Sequence, residues 1–304
     1  MTRMIPQIFL LIIGFLFAAP LSGYGQLFTG RSQMTIPDSS LPVGWLPGLG
    51  LSAEMNSGYG SVAEEQAWNY KLQGTIYFAR LDSWILSGTL THEQSANPYS
   101  DINFNPKRAW WTETINLSYL TTDYIIQTGI FHRCKHDIDN AEATNPEKPE
   151  PVSTQRGPIV TGLHLTVLSS PQPLLRTIQH RWGGSLNYHL FGSDYRNPSS
   201  EEINRIQPRL DESVGSVWAL SRLDAPVLEW LNAYQRIWLQ AVFFERDEPG
   251  FNSRLEWGLR LKGLRGNLDA FGGYESTFDD VALNTPRPTD WWFLGLRVSG
   301  LGWE

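Results

Sequence analysis

The chain has little cysteine, no clustered cations and no long apolar run beyond its first residues. Cys134 is the only cysteine among 304 residues, which excludes an intramolecular disulfide framework, so the core or a sheet must stabilise the fold. Lysine and arginine form no stripe and the net charge is -7, which argues against nucleic acid as a partner. No later stretch has the apolar length of a membrane-spanning helix.

The first 25 residues predict a secretory signal peptide. Arg3 precedes an apolar run from Ile8 to Ala19, which is shorter than the ~20 residues that a spanning helix needs. The small residues Gly23 and Gly25 follow, so cleavage is expected before Gln26. Residues 26–304 then form one exported domain, in which residues 26–45 are a periplasmic N-terminal segment.

Aromatic residues are abundant, and many stand in alternating patterns. The chain holds 13 Trp, 11 Tyr and 14 Phe. The stretch "WNYKLQGTIYF" places Trp68, Tyr70 and Leu72 on one face and Asn69 and Lys71 on the other. This period of two predicts a strand and not a helix. Similar segments recur to the final "WWFLGLRVS", so the fold class is all-β.

The connections between these segments alternate between short turns and long polar loops. Short turns are expected at residues 80–82, 121–123 and 264–267, and long loops at residues 91–108, 136–157, 192–212 and 277–290. This alternation is typical of a closed antiparallel transmembrane β-barrel with short periplasmic turns and long extracellular loops. We predict about twelve strands, with the chain in the outer membrane of a Gram-negative cell. A soluble β-sandwich is the alternative.

The predicted topology also indicates the partners of the protein. Outer-membrane lipids, lipopolysaccharide and the barrel assembly machinery become the expected partners.

The segment "APVLEWLNAYQR", residues 225–236, has near-helical apolar spacing after a proline, which favours a short periplasmic helix.

Chemically reactive residues gather in "GIFHRCKHDIDN", residues 129–140, at the outer end of the predicted fifth strand. His132, Cys134 and His136 share one face at intervals of about 7 Å. A histidine two residues from a thiol can act as its base, because the thiolate is the attacking species. Histidine, thiol and carboxylate also bind metal ions. A third interpretation is a polar rim without chemistry.

The hexapeptide Gly129-Ile-Phe-His132-Arg-Cys134 resembles the Gly-x-x-His-x-Ser core of outer-membrane phospholipase A, a twelve-stranded barrel that hydrolyses lipid acyl esters. The His-x-Ser element also occurs in lipid A deacylase barrels. The resemblance implies that Cys134 takes the nucleophile's position and His132 the base's. His136 and Asp137 are more similar to uncharacterised barrels with a His-x-Ser-x-His motif. The phospholipase has Asn-Gly after its serine and an orienting Asn on the next strand, and neither is found here.

Three functional hypotheses therefore stand. The first is a lipid acyl-ester hydrolase with His132, Cys134 and His136 as catalytic residues. In the second, His136, Asp137 and Asp139 bind Ca²⁺ or Zn²⁺ at the rim. In the third, the barrel is non-catalytic and serves as a narrow channel or a surface scaffold.

The sequence leaves the direction of the cluster open. The apolar residues Tyr124, Ile126 and Ile130 share its face and favour the lipid side. Pairing through the turn at residues 121–123 places polar residues of the fourth strand beside it and favours the lumen, and a one-residue change of register reverses that inference.

Overall fold

The protein folds into twelve long antiparallel strands and one two-residue strand. The computed structural model describes residues 41–60, 67–98, 105–137, 156–175, 177–196, 212–264, 266–278 and 289–300. The predicted signal peptide lies outside the described residues. The strands are β1 (Gly44–Gly60), β2 (Trp68–Leu81), β3 (Trp84–Asn97), β4 (Asn105–Leu120), β5 (Tyr124–Asp137), β6 (Arg156–Ser169), β7 (Gln172–Pro173), β8 (Gln179–Arg196), β9 (Ser213–Leu228), β10 (Leu231–Phe244), β11 (Gly250–Lys262), β12 (Asn267–Thr277) and β13 (Thr289–Ser299).

The sheet closes on itself. Neighbours in sequence pair antiparallel, β1 pairs with β13, and β6 pairs with β8 past the short β7. Closure satisfies the backbone hydrogen bonds of every long strand and removes the edges that would otherwise be exposed. The predicted closed barrel of about twelve strands is confirmed. In the described part of the chain there is no helix with the length and apolarity to span a membrane.

The connections at one end of the barrel are tight, as predicted. Residues 82–83, 121–123 and 263–266 link consecutive strands, and Asp82 has a φ of 50°, a conformation that aspartate tolerates in turns. The prediction of a helix at residues 225–236 is wrong. There, β9 ends at Leu228, a two-residue turn follows, and β10 begins at Leu231.

The barrel's outward surface is apolar. On β13 the outward residues are Trp292, Leu294, Leu296 and Val298, and each is exposed over at least half of its surface. Tyr119 lies against Trp84, and Tyr124 against Trp182, near the turn end of the barrel, where aromatic girdles meet a membrane interface. Apolar outside and polar inside is the pattern of a barrel that spans lipid. The protein is an outer-membrane β-barrel.

Side chains fill the lumen. Three buried apolar clusters lie inside the barrel, and their members are Trp110, Phe131, Val160, Val242, Phe244 and Phe278; Tyr234, Phe271, Trp291 and Phe293; and Leu168, Trp218, Leu220 and Trp238. Small polar side chains line the wall between them. Such filling is typical of small barrels, whereas porins enclose an aqueous channel.

A charged network joins β1, β10, β11 and β13 across the lumen. Glu256 has no exposed surface, and its carboxylate lies 2.6 Å from Arg236 Nη2, 3.0 Å from Arg254 Nη2 and 3.0 Å from Arg297 Nη1. Glu54 bridges the guanidinium groups of Arg254 and Arg297 at 3.2 and 2.8 Å. Opposite charges in such close contact offset part of the cost of removing them from water.

Candidate functional site

His132 and Cys134 lie on the lipid-facing side of β5. Ile126 and Ile130 share their parity on this strand and are 41% and 53% exposed, whereas Gln127 and Phe131 point inward and are buried. The polar residues of β4, which would favour the lumen if they were neighbours of the cluster, pair instead with the inward-facing residues of β5. Thr112 is in register with Arg133 and Thr114 with Phe131, so Glu113 is the residue opposite His132.

The cluster lies high on the barrel. Eight residues separate His132 from Tyr124 at the turn end of β5. At a rise of about 3.3 Å per residue and a tilt of about 40°, this places His132 roughly 20 Å above the inner girdle. The apolar band of such barrels is about 25 Å tall. The site therefore faces the outer leaflet close to its polar boundary.

A hydrogen bond from the next strand fixes the His132 ring. Its Nδ1 is 2.8 Å from Thr161 Oγ1, and Thr161 is the residue in register with His132 on β6. When Nδ1 carries the proton and donates it to the hydroxyl, Nε2 is left as the basic nitrogen. This is how an orienting residue prepares a catalytic histidine.

Cys134 follows His132 by two residues on the same face. Their Cα atoms are about 7 Å apart, as for any such pair on a strand. The thiol is 8% exposed, with Trp111 in register on one side and Ile159 on the other. These neighbours shield it from water, and shielding protects a thiol against oxidation.

Glu113 supplies a carboxylate beside the histidine. It is exposed and stands in the middle of β4, in register with His132. Among the described residues it is the only carboxylate that faces outward away from the ends of its strand. Ionisable groups at membrane depth are costly, so their presence favours a functional role.

Thr161 and Glu113 were both missed by sequence reasoning. The hydroxyl takes the place where an asparagine was sought, and a single threonine among many in strands carries no signal. Glu113 breaks the alternation of apolar residues on its face of β4. That break is the one sign by which the sequence could have revealed it.

The remaining predicted site residues are described only in part. His136 and Asp137 belong to the end of β5, but the placement of both side chains, and all of Asp139, lies outside the described residues. Within the described residues no three His, Cys, Asp or Glu side chains form a group that could hold a metal ion.

The comparisons with known proteins concern architecture. No family model and no curated protein matches the chain. An outer-membrane channel from Pseudomonas putida F1 is 13% identical, with a TM-score of 0.47 over 90% of this chain and 99% of that chain. The outer membrane phospholipase A from Escherichia coli is 9% identical, with a TM-score of 0.45 over 84% and 97%. The KdgM porin is 8% identical, with a TM-score of 0.41 over 82% and 97%.

Proposed function

We propose that this barrel hydrolyses acyl esters of outer-leaflet lipids with Cys134 as nucleophile and His132 as base. The observation that carries the proposal is the hydrogen bond of 2.8 Å between His132 Nδ1 and Thr161 Oγ1 on the lipid-facing surface. It holds the imidazole of His132 on the outward face of β5, two residues from Cys134. Thr161 is a positioning residue in this scheme.

The first half of the reaction forms a thioester. His132 Nε2 takes the proton of the Cys134 thiol, and the sulfur attacks the carbonyl carbon of the lipid ester. The C–S bond forms, the C–O bond to the glycerol or sugar breaks, and the leaving alkoxide takes the proton from His132. The lipid without that chain then leaves the site.

The second half releases the fatty acid. Water from the nearby polar boundary gives a proton to His132 and attacks the thioester carbonyl. The C–S bond breaks, the fatty acid leaves, and the proton returns from His132 to the sulfur. Glu113, next to His132 in register, stabilises the imidazolium that forms in both halves.

The filled lumen supports this proposal over a channel. A cavity in the outer half of the lumen measures about 80 Å³ and is bounded by Trp110, Trp291 and ion pairs such as Lys71 with Glu93 at 3.1 Å. His132, Cys134 and Glu113 face lipid, while the charged side chains of the lumen are paired with one another. A porin concentrates its functional residues on the inner wall.

The rim residues His136, Asp137 and Asp139 keep their proposed role in binding Ca²⁺ or Zn²⁺. The thioester route needs no metal. The effect of a chelator on turnover therefore tests this role separately, and a loss of turnover that added Ca²⁺ or Zn²⁺ restores would support it.

The test is lipid hydrolysis by purified protein in detergent micelles, on phospholipids and on lipid A. Wild type is expected to release fatty acid. Cys134→Ala should release none, and Cys134→Ser should retain part of the turnover, because a hydroxyl also attacks esters when a base assists it. His132→Asn should then abolish the turnover of the serine variant as well.

Folding is controlled by migration on a gel before and after heating. Each variant should show the heat-modifiable shift of wild type, because small changes on the outward surface leave the strand pairing intact. Equal fatty-acid release by wild type and by folded Cys134→Ala would refute the proposed nucleophile.

A further inference from the structure

A groove on the lipid-facing surface extends from Val298 to Trp111, whose register partner on the next strand is Cys134 of the proposed site. Its volume is about 750 Å³, and its lining is almost entirely apolar. Two rows of outward-facing residues flank it, and the members of each row are in register on neighbouring strands. The upper row lies nearer the cell exterior than the lower row. The upper row is Val298, Ala53, Leu72, His92 and Trp111, and the lower row is Leu51, Gly74 and Leu90.

Both rows continue into the site. On the next strands the upper row reaches Cys134 through its register partner Trp111, and the lower row reaches His132 through Glu113. A chain lying between the rows is therefore led between the thiol and the imidazole.

The groove has the dimensions of one leaflet. From Val298 to Trp111 it crosses four strand intervals, which at about 4.8 Å each make about 19 Å. Because the strands tilt by about 40°, this row changes depth by roughly 12 Å. Half of a hydrocarbon core of about 30 Å is about 15 Å.

Small residues form the floor, and polar groups gather at the upper end. Ala53 and Gly74 leave the depression open, and a Cβ on Gly74 would approach only Leu51 Cδ2, at 3.7 Å. At the other end the His92 ring lies against Trp111 with ring centroids 4.3 Å apart and a tilt of 55°, and Tyr70 Oη lies 3.1 Å from His92 Nε2. The groove is apolar at its lower end and has aromatic and polar groups at its upper end. This order matches a membrane lipid, in which the acyl chain lies deeper than the ester.

We propose that this groove binds one long acyl chain of an outer-leaflet lipid, with its ester carbonyl between Cys134 and His132. This inference rests on the proposed function, and it specifies the substrate as a long-chain ester. A short chain ends near Trp111 and gains nothing from Ala53 or Gly74, which lie about 14 to 19 Å from Cys134 along the rows.

The kinetic test compares Ala53→Leu with Ala219→Leu. Both alanines are exposed on the outward surface, but Ala219 on β9 lies outside the groove. Ala53→Leu should lower turnover of a palmitoyl phospholipid on the order of tenfold, the scale of steric discrimination in an apolar pocket, and leave an octanoyl phospholipid unaffected. Ala219→Leu should change neither. Equal effects of the two variants on both substrates would overturn the proposal that the groove binds the acyl chain.

A labelling test is independent of turnover. Cys134→Ala protein in nanodiscs is irradiated with a phospholipid whose palmitoyl chain carries a diazirine, and the labelled peptides are mapped. Label concentrated on β1 and β2 supports the groove, and label spread evenly around the barrel overturns it. Label concentrated on β1 and β2, together with no turnover by wild type, would support acyl-chain binding in the groove and refute lipid hydrolysis. Evenly spread label with normal turnover would support hydrolysis and refute binding in the groove.

Discussion

Thr161 reaches His132 from the neighbouring strand, and its hydroxyl holds the imidazole through a hydrogen bond at Nδ1. Thr161→Val keeps the shape of the side chain and removes this partner. We expect a loss of turnover on the order of tenfold, the equivalent of about 1.4 kcal/mol for one hydrogen bond. Thr161→Ser should restore most of the turnover, which is measured as fatty-acid release. An unchanged Thr161→Val enzyme would show that the contact has no role in catalysis.

Glu113 is predicted to lower the stability of the barrel and to raise the turnover of lipid. A carboxylate on the lipid face costs free energy, so Glu113→Leu should stabilise the barrel by about 1 kcal/mol. Turnover should fall, because the imidazolium of His132 loses its neighbour. Urea unfolding in lipid vesicles measures the first effect and fatty-acid release the second. Glu113→Gln, which keeps the size, should lose turnover with a smaller gain in stability. A variant that is less stable than wild type would contradict this account.

At the scale of single residues the sequence predicts the nucleophile and the base but not their partners. His132 and Cys134 stand two apart in the chain, so their shared face follows from strand geometry alone. Thr161 lies 29 residues from His132, and Glu113 belongs to another strand. Both become neighbours through register, which the chain specifies only once the strands pair.

Glu256 on strand β11 forms ion pairs with three arginines in the lumen. Glu256→Ala would leave Arg236, Arg254 and Arg297 without their shared carboxylate, and breaking a buried ion pair in this way costs about 3 to 5 kcal/mol. The urea midpoint of the barrel should fall accordingly, and Glu256→Gln should have a smaller effect.

The matched control is Glu248→Ala. Glu248 is exposed in the connection between β10 and β11, so its loss should leave the midpoint within experimental error. Equal midpoints for Glu256→Ala and Glu248→Ala would show that the lumen network does not stabilise the barrel.

At the scale of elements, hairpins are predictable where the turn is marked and unpredictable where it is not. Residues 80–82 and 121–123 carry Asp or Thr between alternating segments. The β9–β10 turn consists of Glu229 and Trp230, which lack the usual turn chemistry. Apolar residues from the two strands therefore merge into a helix-like spacing at residues 225–236. Strand pairing overrides that local pattern.

The whole molecule is predicted to be closed to ions. The lumen contains three apolar clusters and a charged network, so purified protein in a planar lipid bilayer should show no stable conductance steps. The double variant Trp110→Gly, Trp291→Gly should admit more current, because both indoles bound the remaining cavity. A steady conductance by wild type would favour the channel hypothesis.

The architecture of the whole molecule was predictable because loop lengths alternate along the entire chain. The side of the barrel on which His132 and Cys134 lie was not predictable, since each strand has two faces and a shift of one residue exchanges them. The outward position of His132 and Cys134 follows from the exposure of Ile126 and Ile130 on the same face of β5 and from the pairing of β4 with β5.

The central claim is that Cys134 carries the acyl chain between the two half reactions. Its most direct test is mass spectrometry of protein that is quenched with acid during turnover of a palmitoyl phospholipid. Because Cys134 is the only cysteine, a thioester can form at one position only. The account predicts a palmitoyl adduct on the peptide containing Cys134 that hydroxylamine removes and that is absent from Cys134→Ala. Fatty-acid release by wild type without any adduct on that peptide, across all quench times, would contradict it.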